Sequence, residues 1–176
     1  YVYNQFDHRI DQVTLGSTDF VVHPVATVAT DVLTPRLAEG RRLFFDARDA
    51  RMSAANTNVA CSTCHLEGRD DGHVWSFPDG PRQTPALAGR HLLATAPYHW
   101  TGEFKDLTAF NAHTVVERMG GSGLDSVTAD KLDSFIDGLP VAENATAPMT
   151  PAAAHGRQVF EKAGCNTCHT GTLLTN

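Results

Sequence analysis

The sequence predicts a mainly α-helical fold with a short β-hairpin segment at its N-terminal end. Three observations lead to this fold class. After residue 33, capping residues and apolar residues at helical spacing together indicate four helices. Before residue 33, short runs of β-branched and aromatic residues with partial alternation indicate strands. Two Cys-x-x-Cys-His motifs, at 61–65 and 165–169, lie within the helical part.

The length, charge and hydrophobicity of the chain limit the classes of protein to which it can belong. Its 176 residues suffice for one or two compact domains. The formal net charge of -6 disfavours nucleic acid and anionic membrane surfaces as partners. No long apolar run occurs, so no membrane-spanning helix is predicted. The chain starts at Tyr1 without a signal-like segment, and we therefore expect that a leader or a longer upstream region has been removed.

The N-terminal end carries the predicted strands. Residues 1–3 and 10–15 are β-prone, and residues 7–9 between them are predicted to form a hairpin turn. Residues 20–22 and 25–28 continue the β character. Because a lone hairpin is only marginally stable in water, we expect this one to pair with something outside the chain or to lie against the helical part.

The first two predicted helices are bounded by capping residues. Thr34 caps the first helix, and Pro35 suits its first position. Residues 46–60 are polar and small and are predicted to form a loop. Asp106 caps the second helix, and the glycines at 120–121 end it. The predicted inward faces are Leu37, Gly40, Leu43 and Phe44 in the first helix, and Leu107, Phe110, Thr114 and Val115 in the second.

Two further helices follow. Thr128 caps the predicted third helix, and Gly138 and Pro140 end it. A linker rich in Ala, Thr and Pro is predicted at 141–151, and a fourth helix at 151–162 leads into the second motif. The inward face of the third helix is predicted to be Leu132, Phe135, Ile136 and Leu139. Turns are predicted at 67–72 and 78–81.

The four cysteines all belong to the two Cys-x-x-Cys pairs, for which disulfides, a zinc site and haem attachment compete. A histidine follows each pair, although only nine of the 176 residues are His. Two such coincidences have a chance of about one in 400, and a site of four thiolates has no need for either histidine. The pattern therefore predicts two covalent haem c groups.

Haem attachment explains why the residues have this spacing. Two thiols add to the vinyl groups of one haem, and the imidazole that follows them becomes the proximal iron ligand. The predicted thioether residues are Cys61, Cys64, Cys165 and Cys168, and the predicted proximal ligands are His65 and His169. Because such attachment takes place outside the bacterial cytoplasm, a periplasmic or extracellular location is expected.

The haem motifs sharpen the fold class to class I-like cytochrome c haem domains. A Gly-Arg-x-aliphatic-Phe repeat at 40–44 and 156–160 precedes the two motifs and indicates two such domains. Only seven residues follow His169, so the second domain is predicted to be incomplete. The predicted division is a β-rich segment at 1–33, a complete haem domain at 34–140, a linker at 141–151 and the start of a second haem domain at 152–176.

Each iron of an electron-transfer haem needs a sixth ligand, usually Met or His. Met119 is favoured for the first haem, because the glycines after it let the backbone approach a flat ring. A core role for Met119 is the alternative, and Met52 and several histidines are further candidates. For the second haem the ligand comes from a missing C-terminal region, from a neighbouring chain or from upstream, or it is absent. The upstream candidates are Met149, His155, His113, His23 and His8.

Three stretches, at 80–87, 95–102 and 115–120, together with the first motif, resemble the di-haem cytochrome c peroxidase-like family. The resemblance covers 36–139, and 152–174 as the start of a second copy. It implies that Met119 ligates the haem of the electron-accepting domain. The N-terminal hairpin is similar to the last strands of a β-propeller repeat, which implies that the chain is a piece of a longer protein.

The same resemblance suggests a haem environment of Arg82, Pro85, Tyr98 and Trp100. An ordinary core role for Trp100 is an equal alternative. The family commonly has Tyr-Phe-His-Asp-Gly where this chain has Tyr-His-Trp-Thr-Gly at 98–102, so no family role carries over to His99.

Three functions are compatible with these features. The preferred hypothesis is electron transfer by two haems, without catalytic residues. The alternatives are a peroxidase-like oxidoreductase with an open coordination site at the second haem, and a module of a multi-haem electron-conducting assembly. The expected partner is a redox protein or a neighbouring cytochrome chain, and homo-oligomer formation is left open.

Overall fold

A computed structural model describes residues 1–140, 148–171 and 174. Five strands occur in this part of the chain: Val2–Asn4 (β1), Arg9–Leu15 (β2), Phe20–Thr27 (β3), Val74–Phe77 (β4) and Gly80–Gln83 (β5). The helices are Pro35–Phe45 (α1), Cys61–Cys64 (α2), Leu107–Asn111 (α3), Ser126–Asp137 (α4) and Pro151–Lys162 (α5). A π-helical segment, Ala112–Arg118, continues α3, and 3-10 turns lie at Leu66–Gly68, Leu92–Ala94 and Cys165–Thr167.

The prediction of a mainly α, class I-like cytochrome c fold with a short N-terminal hairpin is wrong. The structure is 36% helical and 18% strand, with two antiparallel sheets. The N-terminal sheet has three strands in the order β1-β2-β3, and β4 pairs with β5 in a hairpin. Only a turn was expected at 78–81, because strands of four residues are too short to show a clear alternation. The chain therefore combines α and β elements.

The N-terminal sheet contacts α1. The Phe6 ring lies 5.5 Å from the Phe45 ring, and the Arg41 guanidinium lies over Phe6 at 5.3 Å. Arg41 also forms an ion pair with Asp31 in the segment between β3 and α1. Every residue of β3 is exposed, so this strand contributes little buried surface to the fold.

The main core lies between α1, α4 and the π-helical segment. Thr34 caps α1 as predicted, because its hydroxyl accepts a hydrogen bond from the amide of Leu37. Gly40 allows a close crossing of α1 and α4, since a Cβ atom there would lie 2.1 Å from the Lys131 carbonyl oxygen. The buried cluster consists of Leu43, Phe44, Met52, Val115, Leu132 and Ile136.

The remaining helices follow the sequence closely, with one change of cap. The Asp106 carboxylate caps α3, which confirms the prediction. The cap of α4 is Asp125 rather than Thr128, because the Asp125 carboxylate accepts from the amides of Val127 and Thr128. α5 has the predicted bounds. Most of the predicted linker, residues 141–147, lies outside the described residues.

Candidate haem-attachment sites

The first motif forms a single helical turn, α2. The His65 amide donates to the Cys61 carbonyl oxygen at 2.8 Å, and the Ala60 amide donates to the Thr63 hydroxyl at 3.0 Å. Residues three apart on a helix lie on the same face, so the turn places Cys61 and Cys64 side by side. Both thiols are free and partly buried, and Cys61 packs against the core.

His65 is held in one orientation by the backbone of a distant segment. Its Nδ1 atom lies 2.9 Å from the Pro85 carbonyl oxygen. A carbonyl oxygen can only accept, so Nδ1 carries the proton and Nε2 keeps its lone pair. Burial lowers the pKa of His65, although the hydrogen bond to Pro85 opposes this effect. The imidazole is therefore neutral at pH 7, which is the form that binds a metal.

The thiols of the first motif are held in their neutral form. Burial raises the pKa of Cys61 to about 12, and burial also raises the pKa of Cys64. Within the part of the chain that the structure describes, no group of three or more His, Cys, Asp or Glu side chains could hold a metal ion.

The second motif repeats the turn of the first. The His169 amide donates to the Cys165 carbonyl oxygen at 2.9 Å, and the Thr167 amide donates to the Gly164 carbonyl oxygen at 3.1 Å. The Nδ1 atom of His169 lies 3.1 Å from the Leu174 carbonyl oxygen. The two sites differ in burial, because the cysteines and the histidine of the second motif are exposed, whereas those of the first are partly buried.

The two methionines considered for the first iron lie in different environments. Met52 is fully buried in the core cluster. The Met119 side chain is partly exposed and directly follows the π-helical segment. The Met119 amide donates to Thr114 at 3.0 Å, and the Met119 carbonyl accepts from the Ala54 amide at 2.8 Å. Its backbone is thus fixed beside the loop that leads into the first motif, while its side chain is not part of the buried core.

The upstream candidates for the second iron are spread over the molecule. Both ring nitrogens of His113 are occupied, because Nδ1 bonds to Glu117 at 2.8 Å and Nε2 accepts from Arg118 Nε at 2.7 Å. His8 lies 3.8 Å from Asp31, between the N-terminal sheet and α1. The other three candidates, His23, Met149 and His155, are exposed.

Three of the four predicted haem-environment residues are close together, because Arg82 and Pro85 belong to one segment and Trp100 contacts it. The Pro85 carbonyl accepts from His65, and the Trp100 Nε1 atom donates to the Gln83 carbonyl oxygen at 2.9 Å. The Arg82 guanidinium lies over the Trp100 ring at 5.9 Å. Tyr98 is held elsewhere, since its hydroxyl donates to the Leu92 carbonyl oxygen at 3.0 Å.

Comparison with known proteins identifies a distant structural neighbour. No protein-family model matches the chain, and no curated protein matches it. The fold is similar to that of hydrazine synthase from Kuenenia stuttgartiensis, solved under 20 bar xenon, with a TM-score of 0.54 and 22% identity. The match covers 81% of this chain and 50% of the neighbour, so the chain spans about half of that protein's length.

A likeness at 22% identity shows a shared fold alone. Membership of the di-haem cytochrome c peroxidase-like family therefore stays a prediction. Among the described residues, no helix has the length and apolar character that crossing a bilayer requires.

Arg118 is a contributor to this region that the sequence did not single out. Its guanidinium lies over the Phe77 ring at 4.7 Å and over the Trp100 ring at 5.2 Å. The residue that directly precedes Met119 is thereby packed against the β4–β5 hairpin. Its only signal in the sequence is its place beside the predicted methionine ligand.

His99 and Glu103 form a hydrogen-bonded pair that the sequence also did not reveal. The Nδ1 atom of His99 bonds to the Glu103 carboxylate. Burial alone would raise the pKa of Glu103, but hydrogen bonds from Thr101 and His99 lower it to about 2. The His99 side chain is 8% exposed and lies beside the Trp100 ring. This pair fixes the loop that carries Trp100.

Proposed function

We propose that this chain is an electron-transfer protein that carries two haem c groups, one at 61–65 and one at 165–169. A single observation supports the proposal. In both motifs the histidine amide closes the same turn on the first cysteine, and the histidine Nδ1 atom meets a backbone carbonyl oxygen. Each Nε2 atom then keeps its lone pair, as an imidazole that ligates haem iron requires.

The residues of the first motif would have two roles, covalent attachment of the haem and ligation of its iron. Cys61 and Cys64 would form the thioether bonds, and His65 would hold the iron on one face. When bound, haem supplies a one-electron Fe(III)/Fe(II) couple. The Pro85 carbonyl strengthens the basicity of His65 and fixes its ring plane. The core beside Cys61 keeps water from one side of the site.

Met119 would supply the sixth ligand of the first haem iron. Its side chain is partly exposed, while Met52 is buried among core residues. A thioether ligand favours the ferrous state and would give the first haem a relatively high potential. The proposed location is periplasmic or extracellular, and the proposed partner is a redox protein or a neighbouring chain.

Haem content tests the proposal directly. The chain would be produced with a c-type haem attachment system, and covalent haem would be counted by denaturing mass spectrometry and the pyridine haemochrome spectrum. We expect two haems in the parent protein, and one in either Cys61→Ala/Cys64→Ala or Cys165→Ala/Cys168→Ala. Ser62→Ala and Asn166→Ala, inside the same motifs, should keep both haems. A parent chain that is folded but carries no haem would contradict the proposal.

A second candidate function rests on the exposure of the second motif. Cys165, Cys168 and His169 are all exposed, so a small molecule or a neighbouring chain has access to this site. If a small molecule reaches the second haem, the protein would be a peroxidase-like oxidoreductase. If a neighbouring chain contacts it, the protein would be a module of a multi-haem assembly. A resting spectrum that is entirely low-spin and does not respond to peroxide would rule out the oxidoreductase. A high-spin component that is absent from Cys165→Ala/Cys168→Ala, which lacks the second haem, would support it.

A further inference from the structure

The Arg118 side chain contains a buried hydrogen-bond donor that has no acceptor. Its Nε atom donates to His113 Nε2 at 2.7 Å, and its guanidinium is stacked against Phe77 and Trp100. Its Nη1 atom is buried and has no hydrogen-bond partner within the described residues. A buried unpaired donor is destabilising, and more so when it belongs to a charged group. The arrangement therefore calls for an acceptor.

A second guanidinium group lies close to Arg118. The Arg82 guanidinium also lies over the Trp100 ring, at 5.9 Å, and its Nη1 atom donates to the Pro81 carbonyl oxygen. Asp79 is the nearby carboxylate, and it approaches Arg118 Nη2 only to 3.5 Å. The carboxylate of Glu117 is already bonded to His113. Two guanidinium groups thus lie over one indole ring, and the Asp79 carboxylate contacts Arg118 at Nη2 rather than at the unpaired Nη1 atom.

This arginine pair is connected by short contacts to both segments that carry the proposed iron ligands. Trp100 is bonded to Gln83, and Pro85, which holds His65, is two residues further along the chain. Two residues of backbone span at most about 7 Å. On the other side, Arg118 directly precedes Met119. A group held between His65 and Met119 would therefore have an edge near the arginine pair.

We propose that Arg118, supported by Arg82, binds a propionate carboxylate of the haem held at the first motif. The guanidinium presents parallel N–H donors that match a carboxylate, and the aromatic rings around it exclude water and strengthen the ion pair. The carboxylate would satisfy the unpaired Nη1 donor. This inference rests on the proposed function, because it requires haem at 61–65.

The pairing has a consequence that can be measured. An ionised propionate that is no longer neutralised stabilises the ferric state of the iron. Loss of Arg118 should therefore lower the midpoint potential of the first haem. The freed propionate would also titrate in solution, and the potential would then depend more strongly on pH.

The test compares the di-haem proteins with Arg118→Gln, Arg118→Lys, Arg82→Gln and Arg90→Gln. Arg90 is the matched control, because it is exposed and its side chain bonds only to the nearby Ala86 carbonyl oxygen among the described residues. Haem content is measured first. Potentiometric titrations over a range of pH then give both midpoints, and resonance Raman spectra report the propionate bending modes. The second haem serves as an internal reference.

We expect Arg118→Gln to lower the first midpoint, to increase its pH dependence and to shift one propionate mode. Arg118→Lys should recover the potential in part but not the propionate mode, and this variant also keeps the test valid if Arg118→Gln fails to fold. Arg82→Gln should cause a smaller change in the same direction, and Arg90→Gln should leave all readouts unchanged. Full haem content with unchanged potential and propionate modes in both Arg118 variants would overturn this inference alone, as would an equal shift in Arg90→Gln. Absence of haem from the parent protein would overturn the proposed function as well.

Discussion

The Nδ1 atom of His65 and the carbonyl oxygen of Pro85 are 2.9 Å apart, although the residues are separated by 20 positions. The bond fixes both the tautomer and the ring plane of the histidine. Pro85 is in turn close to Gln83, whose carbonyl accepts from the Trp100 indole. The orientation of the proposed ligand thus depends on a segment that follows the β4–β5 hairpin.

The first prediction concerns the tautomer of His65. In Cys61→Ala/Cys64→Ala, which cannot attach haem at the first motif, we expect His65 to be neutral and protonated at Nδ1. Long-range nitrogen–proton NMR correlations of the ring identify the tautomer, and a denatured sample gives the reference for an unrestrained imidazole. Circular dichroism establishes that the variant is folded. A ring protonated at Nε2 would show that the bond to Pro85 does not form.

The second prediction separates the two methionines. Met119→Ala should abolish a sulfur-to-iron charge-transfer band of the ferric protein, with little loss of stability, because its side chain is partly exposed. Met52→Ala should keep the band but lower the free energy of unfolding by about 2–5 kcal/mol, since it opens a cavity in the core. Absorption spectra and denaturant titrations measure the two effects. A band that survives in Met119→Ala would show that another group ligates the iron.

The local features of the sequence predicted the helices well. Thr34 and Asp106 cap the helices that they were expected to cap, because a cap depends on one side chain and the next three amides. The apolar spacing predicts Thr128 as the cap of α4. In the structure the Asp125 carboxylate bonds to the amides of both Val127 and Thr128. Asp125 lies only three residues before Thr128, and the apolar spacing alone does not distinguish two capping side chains that are so close together.

The parts that the sequence did not predict depend on contacts between distant residues. The fold class was wrong because β4 and β5 are held by pairing across a turn, such as that of Trp75 with Arg82, rather than by a strong pattern within either strand. The motif histidine was predicted from its spacing, but its carbonyl partner was not, since Pro85 reaches it only through the tertiary fold. For the same reason, the stacking of Arg118 on Phe77 had no signal in the sequence.

The third prediction concerns Asp133, a buried carboxyl group on α4. Burial raises its pKa from 3.8 to about 6, although weak hydrogen bonds from Asn111 oppose the shift. The folded state therefore binds more protons than the unfolded state between pH 3.8 and about 6, so this group lowers the stability as the pH rises through that window. Asp133→Asn should raise the free energy of unfolding at pH 7, by at most about 3 kcal/mol.

Denaturant unfolding at pH 4 and pH 7 measures this effect. The stability gained by Asp133→Asn should be larger at pH 7 than at pH 4. The matched control is Asp130→Asn on the same helix, because Asp130 is exposed and pairs with Arg36 at 2.6 Å. Its loss should cost at most about 1 kcal/mol. Because the Asp130 charge also contributes to the raised pKa of Asp133, Asp130→Asn should weaken the pH dependence slightly, whereas Asp133→Asn should remove it. Equal effects of Asp133→Asn at both pH values would show that burial does not raise the pKa of this carboxyl group.

The fourth prediction compares the two glycines of the internal repeat. A Cβ atom at Gly40 would lie 2.1 Å from the Lys131 carbonyl oxygen and 2.7 Å from the Phe135 Cβ atom. Gly40→Ala must therefore push α1 and α4 apart, and we expect it to lower the free energy of unfolding by about 3 kcal/mol or more. At Gly156, no heavy atom lies within 4 Å of the corresponding position, so far as the described residues extend.

Gly156→Ala should accordingly stabilise α5 by about 0.5–1 kcal/mol, because alanine is the better helix former and meets no obstacle. Thermal unfolding followed by circular dichroism measures both variants. The two substitutions are chemically identical and stand at equivalent positions of the same sequence repeat, so opposite signs isolate the effect of the α1–α4 contact. If Gly156→Ala were as costly as Gly40→Ala, the glycine face of α5 would have to pack as closely against another segment as α1 packs against α4.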